Sequence, residues 1–426
     1  MNEADSEAMA RLLTKAGYAP TSDPEEAAVI LLNTCCVRDK PEQKVYSRLG
    51  ELRPIKARNT DLIIAVAGCM AQKEGQQMLK RVPYLDIVIG TRQFHRLEEF
   101  IHACHTGERI CALGLEDDPS ILREGRIVQA DDSLKAFVPI ILGCDNFCTY
   151  CIVPYVRGRQ KSRPPEEIKA ELAALAEKGC KEVTLLGQNV LAYGRDLAEK
   201  RDFADLLEYL HDIPGIARLR FTTAHPRDVN DRLIDTIAAL PKVCEHLHLP
   251  IQAGDDRLLK AMGRGYTTAY YLETVAKLRA RLPGVALTSD IMVGFPGETD
   301  EQFENSLQLY QQLRFDQAFT FVYSPRPGTP AAELPDQVPQ KEKTARVNRL
   351  IGLITTGASQ ANLEQVGQQG EILVDGLSER GAGQLAGRLR TNKTVVLSGA
   401  PDLIGRLVTV TLTEAHMWGF MGQLAG

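Results

Sequence analysis

The densest group of potentially reactive side chains is GCDNFCTYC (143–151), which holds Cys144, Cys148 and Cys151. Thiols gathered this closely are typical of a metal site in a chain whose cysteines stay reduced. Zinc normally takes four ligands in two short pairs, and no second pair follows this group. A [4Fe–4S] cluster also takes four ligands, so three cysteines leave one iron open to bind and activate a small molecule. We therefore expect an iron–sulfur site, with zinc as the alternative.

The composition limits the classes of function. With 426 residues, 44% hydrophobic and 25% charged, the chain is typical of a soluble protein of several domains. The net charge of −5 indicates no particular partner. No apolar run approaches the roughly 18 residues of a membrane span, and MNEADSEAMARL lacks the apolar core of a signal peptide. We predict a cytoplasmic protein without membrane contact.

The elements that must position these cysteines fall into an N-terminal part, residues 1–125, and two further parts. Three short apolar runs, each followed by a helical pattern, are AAVILLNTC (27–35), DLIIAVAGC (61–69) and LDIVIG (85–90). This alternation predicts an open parallel α/β domain. Because the carboxyl ends of parallel strands meet at one edge, Cys35 and Cys69 should lie at the same edge of the sheet.

Residues 130–358 alternate six strand candidates with helical patterns, which predicts a partial (β/α)6 barrel. The strands are AFVPIILG (136–143), EVTLLG (182–187), ARLRFTT (217–223), CEHLHLP (244–250), VALTSDIMVG (285–294) and QAFTFVYS (317–324). Pro139 in the first strand suits an edge position, so we expect an open barrel. The three cysteines follow that strand directly, at the end where such barrels carry active sites.

Residues 362–426 contain short strands broken by glycine and polar turns: EILVDGL, QLAGRLR, TVVLSG and LVTVTLTEAH. This pattern predicts a small antiparallel β-barrel. No excess of basic residues marks the barrel as an RNA binder. Any such role depends on where four cations are placed: Arg380, Arg388, Arg390 and Lys393.

The cysteine spacing resembles the signature of radical S-adenosylmethionine enzymes, and its surroundings, LGCDNFCTYCIVPYVRGRQKSRP, are similar to those of the methylthiotransferases. The likeness extends over nearly the whole chain. NTCCVRDKPEQKVYSRLG and AGCMAQ resemble that family's N-terminal domain, LHLPIQAGDDRLLKAMGRGYT and TSDIMVGFPGET its radical barrel, and the final strands its RNA-binding TRAM domain. LLGQNV together with YVRGRQKSRP is similar to the tRNA branch of the family rather than the ribosomal-protein branch.

The resemblance implies a transferase that converts N6-isopentenyladenosine at position 37 of tRNA to its 2-methylthio derivative. It also implies two [4Fe–4S] clusters, S-adenosylmethionine, an electron donor and a sulfur donor; we expect a monomer. An aromatic C–H has no proton that acid–base catalysis could usefully remove, whereas a radical derived from S-adenosylmethionine can act on the base. Cys144, Cys148 and Cys151 would hold the catalytic cluster.

A second cluster in the N-terminal domain is also implied by the resemblance, with Cys35 and Cys69 as two of three ligands. In the family, a strand and a Gly-Cys-Gln precede the segment that MNEADSE matches. We therefore expect that the third ligand and the first strand are missing through a misassigned start or a truncation of the chain. Cys36 is the alternative third ligand, disfavoured because neighbouring residues of an extended chain point to opposite sides. A lone buried core thiol is the alternative for Cys69.

The resemblance also suggests contacts for the cofactor and the RNA. Gln188, Asn189, Gln252 and Asp290 stand at or near strand ends and are candidates to bind S-adenosylmethionine; Asp290 could instead be a core carboxylate. RGRQKSR (157–163) supplies four candidates for tRNA phosphate contacts, or else a solvated face: Arg157, Arg159, Lys161 and Arg163. His225 is a weaker RNA candidate and could be structural. Four further cysteines fit no ligand pattern: Cys104, Cys111, Cys180 and Cys244.

Two other functions remain open from the residues and the resemblance. One is the sibling enzyme that modifies a ribosomal protein, or an enzyme for another modified adenosine of tRNA. The other is a zinc-dependent RNA-binding protein without redox chemistry, which would be colourless, whereas an iron–sulfur protein is brown.

Overall fold

A computed structural model describes residues 1–35, 39–115, 133–379 and 383–425. The chain divides into two compact units. The first holds residues 1–130, 142–145 and 151–163, and the second holds residues 131–141, 146–150 and 164–426. The cysteine-rich segment therefore contributes to both: Cys144 and Cys151 belong to the first unit and Cys148 to the second.

The first unit is built on a parallel sheet, as the sequence predicted. Its strands are β1 (Val29–Thr34), β2 (Ile63–Gly68), β3 (Ile87–Ile89) and β4 (Ile110–Ala112), which pair in that order. Its helices are Asn2–Lys15, Asp39–Arg58, Cys69–Glu74, Gln76–Arg81, Leu97–His105 and Val153–Arg157. Apolar side chains from β2 alternate between two core clusters, one on each face of the sheet. This burial on both faces explains the uninterrupted apolar run of β2.

The second unit contains a barrel of six parallel strands, and this part of the fold prediction is confirmed. One sheet pairs β5 (Lys135–Pro139), β8 (Glu182–Leu186) and β9 (Arg218–Phe221), and another pairs β10 (His246–His248), β11 (Ala286–Val293) and β12 (Gln317–Val322). A bridge from Leu219 to Val243 links the two sheets. Two short strands, β6 (Ile141–Leu142) and β7 (Lys161–Ser162), lie between β5 and β8 in sequence. Within the described ranges β5 pairs only with β8, so Pro139 stands on an edge strand and the barrel is open.

Helices connect the barrel strands. They span Pro165–Glu177, Phe203–His211, Asp231–Ala239, Asp256–Ala261, Thr268–Arg281, Asp300–Leu313 and Gln340–Leu363. Several begin at a side chain that caps the free backbone N–H groups. Asp202 and Asp205 form a reciprocal capping box, and Thr299 forms another with Gln302. In the parts of the chain that the structure describes, none of the helices is long and apolar enough to cross a membrane.

The C-terminal strands close into a five-stranded barrel. They are β13 (Gln369–Leu377), β14 (Leu385–Leu389), β15 (Thr394–Leu397), β16 (Leu407–His416) and β17 (Gly419–Leu424), paired in the order β13-β14-β15-β17-β16. Every pair is antiparallel except β15 with β17, which is parallel. The predicted barrel is confirmed, with β17 as a strand that the sequence pattern did not indicate.

Two arginines of β9 hold the C-terminal barrel against the six-stranded barrel. Arg218 donates to the carbonyl oxygens of Arg388 at 2.7 Å and Glu371 at 2.9 Å. Arg220 donates to the carbonyls of Arg390 and Leu389 at 2.7 and 2.8 Å. Because a planar guanidinium presents several donors in a fixed fork, each arginine grips two backbone positions at once.

Two of the four cations considered for RNA contact serve this same docking. Arg390 makes two 2.7 Å bonds to the Glu245 carboxylate, and Lys393 lies 2.7 Å from Asp316. Arg388 is exposed and donates to the Asn392 side chain at 3.1 Å. Arg380 lies outside the described residues. Of the three described members of this set, Arg388 is therefore the cation best placed to meet a phosphate.

Candidate iron–sulfur and cofactor site

Cys35 and Cys69 occupy matching positions at one edge of the N-terminal sheet. β1 and β2 pair in register with Thr34 opposite Gly68, and each cysteine is the next residue along its strand. Gly68 has φ +96°, and a Cβ there would stand 2.3 Å from the Thr34 carbonyl oxygen, so only glycine fits this close approach. The juxtaposition predicted from the topology is confirmed, while the role of both residues as ligands stays a prediction.

Arg157 lies beside Cys69 in the interior of the first unit. Its Nε donates to the Cys69 sulfur at 3.3 Å, and its Nη2 donates to the Asp5 carboxylate at 3.0 Å. Burial alone lowers the pKa of Arg157, but Asp5 and the Cys69 sulfur raise it above its ordinary value. The guanidinium is therefore a permanent positive charge directed at one of the two edge cysteines.

This placement corrects the predicted RNA contacts of RGRQKSR. Arg157 is 7% exposed and Arg163 0%, so neither presents its guanidinium to a phosphate. Arg159 does so: its side chain is 73% exposed and makes two bonds to Asp145 at 2.8 and 3.2 Å. Lys161 is partly exposed. The prediction stays open for Arg159 and Lys161, whereas burial keeps the guanidinium groups of Arg157 and Arg163 away from a phosphate at the surface.

The backbone around Cys144 is fixed by residues of the first unit. The Cys144 N–H donates to the Gly158 carbonyl at 3.2 Å. Arg92, which is buried, donates to the carbonyls of Arg157 at 3.0 Å and Arg159 at 2.6 Å. Gly143 has φ +72°, and a Cβ there would lie 2.1 Å from the Arg159 carbonyl oxygen. The chain before Cys144 and the chain after Cys151 thus run in direct backbone contact.

In the second unit, Cys148 is buried against Arg264. The Nη1 of Arg264 lies 3.5 Å from the Cys148 sulfur, and its Nη2 donates to the Pro250 carbonyl at 2.9 Å. Its Nε donates to the Tyr266 hydroxyl at 3.1 Å. The sequence reasoning missed Arg264 because 116 residues separate it from Cys148. The available signal was the pair of glycines around it in MGRGY.

The candidate cofactor residues sit in contrasting surroundings. Asn189 is buried and committed to the loop, since it donates to Asp228 at 2.6 Å and accepts from the His225 N–H at 3.1 Å. The Oε1 of Gln188 is buried and lacks a hydrogen-bond partner among the described residues. Gln252 has φ +70°, a costly conformation for a residue with a side chain. An unpaired amide oxygen and a strained residue at strand ends suit a ligand site.

The Asp290 carboxylate lies at the end of a row of polar contacts that runs through His248, Thr288 and His246. It lies 3.4 Å from the Nε2 of His248, whose Nδ1 lies 3.0 Å from the Thr288 hydroxyl. The same hydroxyl lies 3.1 Å from the Nε2 of His246. Burial, followed by Arg220, lowers the pKa of His246 to about 3, so this imidazole is neutral. Asp290 is half-buried with few protein contacts, which leaves its carboxylate available to a ligand.

The donor set fits the expected groups, although no three His, Cys, Asp or Glu side chains of the described residues stand together as a finished metal site. A thiol facing a buried arginine suits an anionic cluster better than it suits a neutral core. The unpaired Gln188 oxygen suits a donor such as an ammonium or a ribose hydroxyl. The four remaining cysteines do not fit a metal site. Burial raises the pKa of Cys104, Cys111, Cys180 and Cys244, as expected of structural thiols.

Three family models match the chain. Residues 1–90 match an uncharacterized protein family, UPF0004; residues 138–310 match the radical SAM superfamily; and residues 363–424 match the TRAM domain. The eleven residues proposed as catalytic, cofactor or RNA contacts at positions 144–290, and the weaker candidate His225, fall within the radical SAM match.

Curated relatives match over the full length. A tRNA-2-methylthio-N(6)-dimethylallyladenosine synthase of Pelotomaculum thermopropionicum is 50% identical over 430 residues, covering 100% of this chain and 95% of the relative. Another of that name, from Moorella thermoacetica, is 48% identical over 427 residues, covering 100% of this chain and 96% of the relative. Among solved structures, the radical S-adenosylmethionine methyltransferase TsrM of Kitasatospora setae has a TM-score of 0.55 at 15% identity, over 76% of this chain and 73% of that one. At that identity the likeness concerns the fold alone.

Proposed function

Because the chain belongs to the family of tRNA-2-methylthio-N6-dimethylallyladenosine synthases, which are radical S-adenosylmethionine enzymes, we propose that it adds a methylthio group to N6-isopentenyladenosine at position 37 of tRNA. The observation that carries the proposal is 50% identity to such a synthase along the entire chain. The cysteine motif at residues 144–151 supports it independently.

In this proposal Cys144, Cys148 and Cys151 hold the [4Fe–4S] cluster. With S-adenosylmethionine bound, such a cluster supplies one-electron chemistry that the side chains lack. Gln188 would accept a hydrogen bond from the cofactor through its unpaired Oε1, and Asp290 would accept one through its half-buried carboxylate. Asn189 would fix the loop through Asp228, and Gln252 would hold the backbone between its strand and Asp290.

A second cluster forms part of the proposal, with Cys35 and Cys69 as ligands at the edge of the N-terminal sheet. Support comes from the matched register of the two cysteines and from the Arg157 guanidinium 3.3 Å from the Cys69 sulfur. The third ligand is unassigned, and Cys36 lies outside the described residues. The reaction also needs an electron donor and a sulfur donor as partners.

We propose three domains, at residues 1–125, 130–358 and 362–426, working as a monomer on cytoplasmic tRNA. The matched family models, 1–90, 138–310 and 363–424, agree with this division. Arg159, Lys161 and Arg388 are the proposed phosphate contacts, since each is exposed or partly exposed. Cationic side chains that touch phosphate supply most of the affinity of such proteins for nucleic acid.

The test is iron and sulfide per chain after anaerobic reconstitution, followed by nucleoside analysis of tRNA incubated with the enzyme. Cys144→Ala should lose about four irons, which is one cluster, and should abolish cleavage of S-adenosylmethionine. Cys180→Ala removes a buried structural thiol and serves as the matched control, with iron and cleavage retained. A colourless protein containing zinc would overturn the proposal. Methylthiolation of a ribosomal-protein peptide instead of tRNA would point to the sibling activity.

A further inference from the structure

Arg264 is a buried cation. Apart from the Cys148 sulfur, the polar groups that its guanidinium contacts are uncharged. It is 5% exposed, and its guanidinium bonds to the Pro250 carbonyl and the hydroxyls of Tyr266 and Tyr150. Its remaining contact is the Cys148 sulfur, 3.5 Å from Nη1. Among the residues that the structure describes, no carboxylate lies within ion-pair distance of Arg264.

Three other buried arginines of this chain each form an ion pair with a carboxylate. Arg157 lies 3.0 Å from Asp5, Arg220 lies 2.9 Å from Glu182, and Arg346 lies 2.8 Å from Glu298. A charge removed from water is tolerated when an opposite charge offsets the loss of hydration. The absence of a carboxylate beside Arg264, among the described residues, therefore indicates an anion that completes this site, and Cys148 is the group that faces it.

The position of Arg264 is rigidly determined. Gly263 and Gly265 flank it with φ +69° and +68°, a backbone conformation that L side chains rarely adopt, so the turn aims this one side chain inward. Tyr266 accepts from the Arg264 Nε and donates to the Ile251 carbonyl at 2.8 Å. The Thr149 N–H donates to the Met262 carbonyl at 3.0 Å, which ties the segment carrying Cys148 to this turn.

We propose that Arg264 is a positioning residue for the catalytic cluster. Its Nη1 donates a hydrogen bond to the thiolate of Cys148 and places a positive charge beside the cluster, which makes the cluster easier to reduce. This inference rests on the proposed function. The reduced cluster carries one more negative charge than the oxidised cluster, so a cation fixed in a poorly hydrated interior stabilises the reduced form more. Hydrogen bonds to the ligating sulfurs and net charge are established determinants of the potentials of such clusters.

The experiment is a redox titration of the reconstituted full chain, monitored by electron paramagnetic resonance, in a Cys35→Ala background so that only the catalytic cluster contributes. Arg264→Gln removes the charge and Arg264→Lys retains it. Arg257→Gln, on the exposed face of the neighbouring helix Asp256–Ala261, is the control. We expect about four irons per chain in every variant. In Arg264→Gln the ratio of reduced to oxidised cluster at a given potential should be about tenfold lower, which is a shift of the midpoint potential of about 59 mV downward for one electron. Arg264→Lys should fall between wild type and Arg264→Gln.

The other outcomes decide the inference as well. If Arg264→Gln holds four irons at an unchanged potential, the inference is wrong and the proposed function stands. If the potential moves only when S-adenosylmethionine is present and the affinity for that cofactor falls, the guanidinium pairs with the cofactor carboxylate instead. If Arg264→Gln holds no cluster, the lysine variant decides: iron retained near the wild-type potential supports the role of charge, and iron lost there too means that Arg264 is needed only for assembly.

Discussion

His225 shows how burial sets the charge of a single side chain near the barrel mouth. Its ring is 4% exposed, meets Tyr266 edge-on at 5.6 Å between centroids, and accepts from the Arg227 N–H at 3.3 Å. Burial, followed by Arg264 and Arg227, lowers the pKa of His225 to about 2. The imidazole is therefore neutral in the folded chain at ordinary pH, which favours a structural role over contact with RNA.

The stability of the chain should depend on pH through His225. The unfolded chain binds a proton at His225 below pH about 6.5, while the folded chain resists protonation down to about 2, so stability is complete above 6.5 and falls as the pH is lowered. Between pH 7.5 and 5.5 this group should cost about 1.4 kcal/mol. Denaturant unfolding of the cluster-free protein should show that loss, and His225→Asn should remove it. His102→Asn, at an exposed site, should leave the loss unchanged.

For single residues, the sequence shows which side chains stand close together along the chain, but not whether each one points into the protein or toward solvent. The four cations of RGRQKSR look alike in the sequence, yet Arg157 turns inward because Asp5, 152 residues away, supplies its counter-charge. Arg159 stays outside because its partner Asp145 is itself exposed. Such a difference depends on contacts between distant segments, which local pattern does not encode. The edge position of Cys35 and Cys69, by contrast, follows from strand order alone.

Strand β9 contributes two outward-reaching guanidinium groups to docking of the C-terminal barrel, beside the ion pairs of Arg390 and Lys393. Arg218 is fully buried, and besides its two carbonyl contacts it lies 2.9 Å from a carboxylate oxygen of Glu371. Arg220 lies 2.9 Å from Glu182. The pair is thus part of a buried network of charges that joins the six-stranded barrel to β13 and β14.

Removing Arg218 should loosen the C-terminal barrel. Arg218→Met leaves two carbonyls without their donor and the buried Glu182 carboxylate, 3.7 Å away, without this positive charge, and we expect a loss of about 3 kcal/mol, the usual result of breaking a buried ion pair. Hydrogen exchange should accelerate in β13 and β14. Arg232→Met removes an exposed ion pair with Asp202 and should cost less than about 1 kcal/mol. Unchanged exchange in β13 and β14 of the Arg218 variant would contradict this account of docking.

Most elements were predictable because their periodicity is strong, and the exceptions have physical reasons. β4 has three residues, too few to show a pattern, and its burial comes from β3 beside it. β17 (GFMGQL) carries two glycines, which weaken a strand signal. A Cβ at Gly419 would lie 2.1 Å from the Thr394 carbonyl oxygen, and a Cβ at Gly422 would lie 2.7 Å from the Val395 side chain. The close packing therefore requires glycine at both positions, and these glycines weaken the sequence signal for a strand.

At the scale of the whole molecule, charge constrains how tRNA is held. The net charge is −5, and several arginines and lysines are used in ion pairs inside the protein, so attraction to the RNA must come from exposed cations that are concentrated locally. The sequence predicted three modules in the observed order. It could not predict that the cysteine-rich segment is divided between two compact units, because that division depends on long-range contacts.

Affinity for tRNA should therefore depend only moderately on salt. Three phosphate contacts give a slope of log affinity against log salt of about −2, taking roughly −0.7 for each contact. Arg388→Gln and Arg159→Gln should each reduce the magnitude by about 0.7, measured by filter binding across salt concentrations. Arg53→Gln, on an exposed face of the helix Asp39–Arg58, should change nothing. A slope steeper than about −5 would mean that a larger basic surface has been overlooked.

The strand order of the C-terminal barrel has a consequence for synthesis on the ribosome. β17 lies between β15 and β16 and is translated after the other four strands of this barrel. Until Gly419–Leu424 has left the exit tunnel, β15 and β16 each expose an unpaired edge of the kind that promotes association with other chains. Closure of the barrel therefore waits for β17, and until then the nascent chain exposes two unpaired strand edges.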